Sequence, residues 1–225
     1  ASIDLMSLTP SLALATSKTG CRAIRPTGAR SVKGSKFAFA VRSWEEYSAL
    51  FAAVPPSIQA GEASTPYLHL YEESITSMRK YLPDYRKTKI VMVLRHPVER
   101  AFSNYVWRRR DDREEESFDR ALLLEEQRIR DGYSFDYAYA GRSRYYQGVK
   151  AYLEAFDQVH IILYEDLIAR RDKELAALCR FLGVKDTFRF HAVKDSNVSF
   201  IPRSTLLSRL VTAEFGWKFK LINSL

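Results

Sequence analysis

Two short apolar runs, Lys89-Ile-Val-Met-Val-Leu94 and Val159-His-Ile-Ile-Leu163, constrain the fold of this chain more than any other feature. Neither alternates polar with apolar residues, so each reads as a strand covered on both faces, the habit of parallel sheets. A third, weaker run, Ser11-Leu-Ala-Leu-Ala-Thr16, leads straight into Ser17-Lys-Thr-Gly20. Helical patterns lie around these runs: Trp44 to Ala53, Tyr71 to Leu82, Pro97 to Arg110, Ser117 to Arg130, Ser143 to Phe156 and Asp172 to Leu182. Tyr146, Val149, Leu153 and Phe156 share one helical face, as do Leu175, Leu178 and Leu182. Pro97 suits a first helical position and Gly183 a C-terminal stop. Strands alternating with helices predict an α/β fold: a central, mostly parallel sheet flanked by helices, with ligands at the carboxyl ends of the strands.

At 225 residues, 46% of them hydrophobic, the chain has ample material for a buried core. It has no repeat and no Pro/Gly/Ser linker, so a single domain over residues 1–225 is expected. The absence of Met at position 1 is compatible with trimming of a longer product at one or both ends. No apolar run approaches the roughly 20 residues of a membrane-spanning helix, so no membrane span is expected. Two cysteines, Cys21 and Cys179, build neither a disulfide framework nor a zinc site, which favours a reducing compartment and implies no metal.

The net charge of +8 is unevenly spread. Before residue 45, Lys18, Arg22, Arg25, Arg30, Lys33, Lys36 and Arg42 face only Asp4. Four readings stand open for this segment: a phosphate-binding loop region, a nucleic-acid patch, an organelle transit peptide, or a solvated surface. The cluster Arg108-Arg-Arg-Asp-Asp-Arg-Glu-Glu-Glu116 changes sign along its length, basic at the end of one helix and acidic before the next. That order complements both helix dipoles and predicts a solvated helix-helix corner rather than a nucleic-acid contact.

The chemistry concentrates in Lys89 to Tyr105, where a buried strand delivers Arg95 at its carboxyl end and a helix starts at Pro97. A guanidinium there offers a planar fork of donors to an anion, and Ser103 on the helix adds a hydroxyl. The bland alternative makes Arg95 an ion-pair partner of Glu99 or Glu165. Glu165 and Asp166 are expected to cap a helix after the second strand.

This segment resembles the 3′-phosphate-binding block of sulfotransferases that use 3′-phosphoadenosine 5′-phosphosulfate (PAPS). Other blocks follow in the order of the Golgi-type and bacterial members: Gly61-Glu-Ala-Ser-Thr-Pro-Tyr-Leu68, the helix from Ser143 to Phe156, Tyr164-Glu-Asp-Leu167, Phe181-Leu-Gly-Val184 and Asn197-Val-Ser-Phe-Ile-Pro-Arg203. The resemblance runs from about Gly61 to Leu210. It implies a P-loop-like three-layer fold in which Arg95 and Ser103 hold the 3′-phosphate, with Tyr145 and the late loop residue Arg203 also on the nucleotide. In Thr16-Ser-Lys-Thr-Gly-Cys-Arg22 it places Lys18, Thr19, Gly20, Cys21 and Arg22 at the 5′-phosphosulfate, although Cys21 and Arg22 stand where relatives carry hydroxyl residues. The segment that supplies a catalytic Glu in relatives has only Lys33-Gly-Ser-Lys-Phe-Ala-Phe39 as its counterpart, without the Glu.

The implied reaction moves a sulfuryl group from PAPS to a hydroxyl or amine, leaving 3′,5′-ADP, with Lys18 neutralising the bridging oxygen and no metal required. Glu62 and His69 are the candidate bases, and both also have ordinary structural readings. Expected partners are a small-molecule, carbohydrate or lipid acceptor and no nucleic acid. The expected location is the cytoplasm, or the Golgi lumen if an anchor has been trimmed. Two rivals are an inactive nucleotide- or polyanion-binding relative and a P-loop nucleotide kinase whose magnesium acid ends the run Val159 to Asp166. Against the kinase, Ser17-Lys18-Thr19-Gly20 places Gly after Lys, the reverse of a Walker loop.

Overall fold

A computed structural model describes residues 12–17, 20–24, 43–55 and 58–187, with side chains for those from 43 onward. In chain order the elements are β1 (Leu12–Ser17), β2 (Gly20–Ile24), α1 (Trp44–Ala49), β3 (Gln59–Ala63), α2 (Tyr71–Tyr81), β4 (Lys89–Leu94) and α3 (Pro97–Arg110). Then come α4 (Phe118–Arg130), α5 (Tyr146–Ala155), β5 (Gln158–Leu163), α6 (Tyr164–Ala169) and α7 (Arg171–Leu182). The described residues fall into two compact units, Arg95–Arg144 forming one and the remainder the other.

In the larger unit β4 and β5 pair in parallel, Lys89 opposite Gln158 through Leu94 opposite Leu163. Ile90, Met92 and Leu94 alternate into a cluster with Ile75 of α2 and Tyr152, Ala155 and Phe156 of α5. Tyr152 stacks on Phe156 with ring centroids 5.6 Å apart, and Tyr85 meets Phe156 edge-on at 5.9 Å. His160, one residue on from inward-facing Val159, faces the other way and stacks at 5.0 Å on Phe181 of α7. Helices therefore flank both faces of the parallel pair, but the cover is incomplete among the described residues, where Val91 and Val93 of β4 and Ile161 and Leu163 of β5 are exposed.

Helix ends follow local chemistry. Ser43 Oγ accepts the Glu46 N–H at 3.1 Å and caps α1, whose Trp44 stacks on Tyr81 of α2. Acidic Glu72 and Glu73 open α2 and basic Arg79 and Lys80 close it. Gly183 ends α7 in the left-handed region (φ 77°), with the Val184 N–H returning to the Cys179 carbonyl at 3.0 Å. Glu165 and Asp166 lie in the first turn of α6 rather than capping it, because the helix begins at Tyr164 as soon as β5 ends. Among the described residues no helix is long and apolar enough to cross a membrane.

The weak N-terminal run forms a strand, β1, but its surroundings differ from expectation. β1 is the centre of a separate antiparallel sheet, ordered β2-β1-β3. Gly20, Cys21 and Arg22 oppose Ser17, Thr16 and Ala15, in place of a loop that leads from a parallel strand into a helix. Chain length explains the change. Only Lys18 and Thr19 separate the strands, whereas a parallel neighbour needs a crossover of about a dozen residues or more.

Gly148 marks the tightest packing in the larger unit, since a Cβ there would sit 2.5 Å from the Leu68 carbonyl oxygen and 3.0 Å from Leu68 Cδ1. Exchanging Gly for Ala inside a helix ordinarily gains about 1 kcal/mol. Here the backbone oxygen has to move, so Gly148→Ala is expected to destabilise by about 1–3 kcal/mol, as overpacking does. Denaturant melts of the two proteins check the sign.

Candidate functional site

In the smaller unit α3 carries two polar stripes with different tasks. Arg95 and His96 are the only residues between Leu94 and Pro97, and Pro97 starts the helix while holding His96 extended (φ −45°, ψ 122°). Glu99 and Ser103, four residues apart on α3, share a face, and Arg95 stands two residues before the helix begins. The Arg95 Nη2 donates to Glu99 Oε2 at 3.0 Å, one of the two ion pairs that the sequence offers. Ser103 is half-buried one turn further on.

Arg100, Asn104 and Arg108 form the second stripe and tie α3 to the segment 134–143. Arg100 donates from Nε to Ser143 Oγ at 2.7 Å and from Nη2 to the Tyr139 carbonyl at 2.8 Å. Asn104 Nδ2 donates to the Asp136 carbonyl at 2.9 Å, and Arg108 Nη2 to Asp136 Oδ2 at 2.8 Å. Arg142 reaches the other oxygen of Asp136 at 3.1 Å.

The expected solvated corner is instead partly interior, with Arg108 and Glu114 each only 3% exposed. Glu114 receives both Nη groups of Arg128 at 2.6 and 2.9 Å, the Tyr139 hydroxyl at 2.7 Å and the Glu116 N–H at 3.1 Å. Burial alone would raise the Glu114 pKa. The hydrogen bonds from Arg128 and Tyr139 more than reverse this and hold it below the ordinary range. Sequence reasoning missed these groups because their partners lie in remote segments, and spacing along one helix carries no signal for them.

In the larger unit the alternation of β3 turns Ala60 and Glu62 inward. Both carboxylate oxygens of Glu62 are buried, without a hydrogen bond of good geometry among the described residues. Burial raises its pKa, and the nearby Tyr67 hydroxyl offsets that only in part. Tyr152 is pushed up to about 12, mainly by burial and also by the Glu62 charge. Tyr47 is raised by the same two causes. Glu62 is thus a carboxyl of raised proton affinity among three tyrosines. His69, the other candidate base, is half-buried in the turn before α2, with its N–H on the Pro66 carbonyl at 2.9 Å. Tyr145 precedes α5 and lines an open groove with Tyr146, Val149, Lys150, Leu153 and Glu154. Lys18, Thr19 and Arg203 lie outside the described residues, and Gly20, Cys21 and Arg22 are placed by backbone only. Among the described residues no three His, Cys, Asp or Glu side chains gather as metal ligands.

The sequence model of the sulfotransferase family matches residues 33–188. This chain belongs to the sulfotransferase family. The match begins earlier than Gly61, where the motif resemblance starts, and also ends earlier, so it leaves out both Lys18 and Arg203. A sulfotransferase from Alicyclobacillus acidocaldarius is a structural relative, 34% identical with a TM-score of 0.60, over 79% of this chain and 68% of that one. No curated protein matches. Family membership displaces the nucleotide-kinase reading of Val159 to Asp166, a stretch that folds as β5 followed directly by α6.

The two buried carboxyls should respond to pH with opposite signs. Glu114 has a lowered folded pKa, so its contribution is present above the ordinary carboxylate pKa and is lost as pH falls through the folded value. Glu114→Gln should therefore cost about 3–5 kcal/mol at neutral pH, the cost of breaking a buried ion pair, and less in acid. Glu62 has a raised folded pKa, so its ionisation penalises the fold as pH rises above the ordinary value. Glu62→Gln should raise the melting temperature at neutral pH, and the gain should vanish in acid. Melts of both variants from pH 4 to 8 test the pair.

Proposed function

We propose that this sulfotransferase moves the sulfuryl group of PAPS to a hydroxyl or amine of a small-molecule, carbohydrate or lipid acceptor, leaving 3′,5′-ADP. The observation that carries the reading is the end of β4, where Arg95 follows the strand directly and pairs with Glu99, which shares a face of α3 with Ser103. A guanidinium and a hydroxyl so placed suit a phosphate monoester, which the 3′ position of PAPS supplies. The acceptor oxygen or nitrogen forms a bond to sulfur as the bond from sulfur to the bridging phosphate oxygen breaks. The acceptor's proton must leave, and Glu62, whose burial raises its proton affinity, is our candidate to take it. Lys18 is assigned to the charge that develops on the leaving phosphate, and His69 is the alternative base. Tyr145 and Arg203 are assigned to the nucleotide on the family resemblance alone. A cytoplasmic site of action belongs to this reading.

Nucleotide preference tests it. 3′,5′-ADP is expected to bind better than 5′-AMP by about 1.5–3 kcal/mol, the worth of hydrogen bonds to a charged group. Arg95→Ala should remove most of that preference, and Arg95→Lys should not restore it, because an ammonium lacks the planar fork. Equal affinity of the wild type for the two nucleotides would overturn the assignment.

Turnover is a separate measurement. Glu62→Gln should bind 3′,5′-ADP normally and lose 10²-fold or more in kcat, the scale of general-base catalysis. Retention of full kcat would transfer the role to His69. Binding of 3′,5′-ADP without PAPS turnover by the wild type would identify an inactive nucleotide-binding relative.

A further inference from the structure

We infer that Tyr67 is a positioning residue for proton transfer to Glu62, its hydroxyl set beside the Glu62 carboxyl and its peptide clamped from α2 and α5. The inference rests on the reading of Glu62 as the base given above. Both Glu62 oxygens are buried on the inner face of β3. Tyr47 of α1, Tyr67 from the turn before α2 and Tyr152 of α5 are the titratable groups set against them among the described residues. Of the three, Tyr67 is the one whose hydroxyl favours the charged carboxylate. The Tyr152 hydroxyl is directed elsewhere, donating to the Tyr67 carbonyl at 3.2 Å. Ser74, buried in α2, donates from Oγ to the same carbonyl at 3.2 Å and to that of Leu70 at 2.6 Å. Pro66, just before Tyr67, is fully buried, and the Leu68 carbonyl just after it packs against Gly148 of α5. The backbone that carries Tyr67 is therefore fixed on both sides.

A buried base has two conflicting needs. Burial favours the neutral carboxyl, which has no lone pair to spare for a proton at the right moment, so a donor must hold part of the population ionised. Tyr67 supplies that donor and keeps its own proton. In the transfer, the acceptor's O–H or N–H bond breaks as its bond to sulfur forms, and the proton passes to Glu62. The contact between Tyr67 and Glu62 is imperfectly aligned, as catalytic hydrogen bonds often are before substrate is bound. A merely structural Tyr67 predicts something different. Loss of its hydroxyl would then lower stability and turnover by the same factor at every pH.

The experiment compares wild type, Tyr67→Phe, Glu62→Gln and the Tyr67→Phe/Glu62→Gln double variant in two measurements from pH 4 to 8. The first is urea melting, which needs no substrate. Removal of the phenol makes ionisation of Glu62 costlier to the fold, so the midpoint of Tyr67→Phe should fall further below wild type as pH rises. In the Glu62→Gln background the same substitution should have an effect that does not change with pH. The second is release of 3′,5′-ADP from PAPS, with glucose, phenol and ethanolamine as acceptor probes. Tyr67→Phe should lose about tenfold in kcat/KM on the acid side, the factor carried by one hydrogen bond to a charged group, and should approach wild type as pH rises. A pH-independent effect of Tyr67→Phe in either measurement overturns the positioning role. If Glu62→Gln keeps full turnover, or the wild type releases no 3′,5′-ADP, the reading of Glu62 as the base falls and this inference with it. If Glu62→Gln is slow and Tyr67→Phe keeps the wild-type profile, only the inference falls.

Discussion

Asp136 is the point from which the smaller unit is organised. Its carboxylate takes Arg108 on one oxygen and Arg142 on the other, while its carbonyl takes Asn104. Two guanidiniums that are almost wholly buried are tolerable only because one carboxylate meets both, and an unpaired charge at that depth would be expelled or neutralised. Aromatic faces complete the enclosure, with Arg108 4.7 Å from the Tyr137 ring centroid and Arg142 5.2 Å from that of Phe135. The adjoining apolar cluster of Ala101, Tyr105, Val106, Ala121 and Tyr139 is small for a unit of this size. Polar pairing therefore carries specificity that packing alone would leave loose.

Glu62 and Glu114 make opposite uses of burial. Both carboxyls are withdrawn from water, yet one is met by a guanidinium, a phenol and a backbone N–H, and the other by no hydrogen bond of good geometry among the described residues. The first is fixed in its charged form and belongs to the architecture. The second holds its proton more tightly than an exposed carboxyl, so its ionisation works against the fold.

Much of this was legible in the sequence, unevenly. β4 and α3 occupy the residues expected of them, because an unbroken apolar run and a proline at the first helical position are local signals that survive any tertiary context. The family and the α/β class followed from short blocks in a set order. β3 was not foreseen, since Gln59-Ala-Gly-Glu-Ala63 has neither the β-branched content nor the apolar alternation of a strand and gains its shape from pairing with β1. The antiparallel partner of β1 is hidden by the basic residues around Lys18 to Gly20, which suit a ligand loop, whereas the two-residue spacing between the strands dictates a hairpin. Burial of Arg108 and Glu114 was illegible for a different reason. A run of alternating charge looks solvated until Tyr137, Tyr139 and Arg128 are brought to it from elsewhere in the chain.

The two stripes of α3 make the helix intolerant of any change in its length. Each inserted or deleted residue turns everything beyond it by about 100° around the axis. A single insertion after Glu99 would swing Asn104 and Arg108 away from Asp136 and carry Ser103 off the face it shares with Glu99. Substitutions along this helix alter one contact at a time, but a shift of phase disrupts both stripes together. Proteins built this way should therefore keep the count of residues in α3.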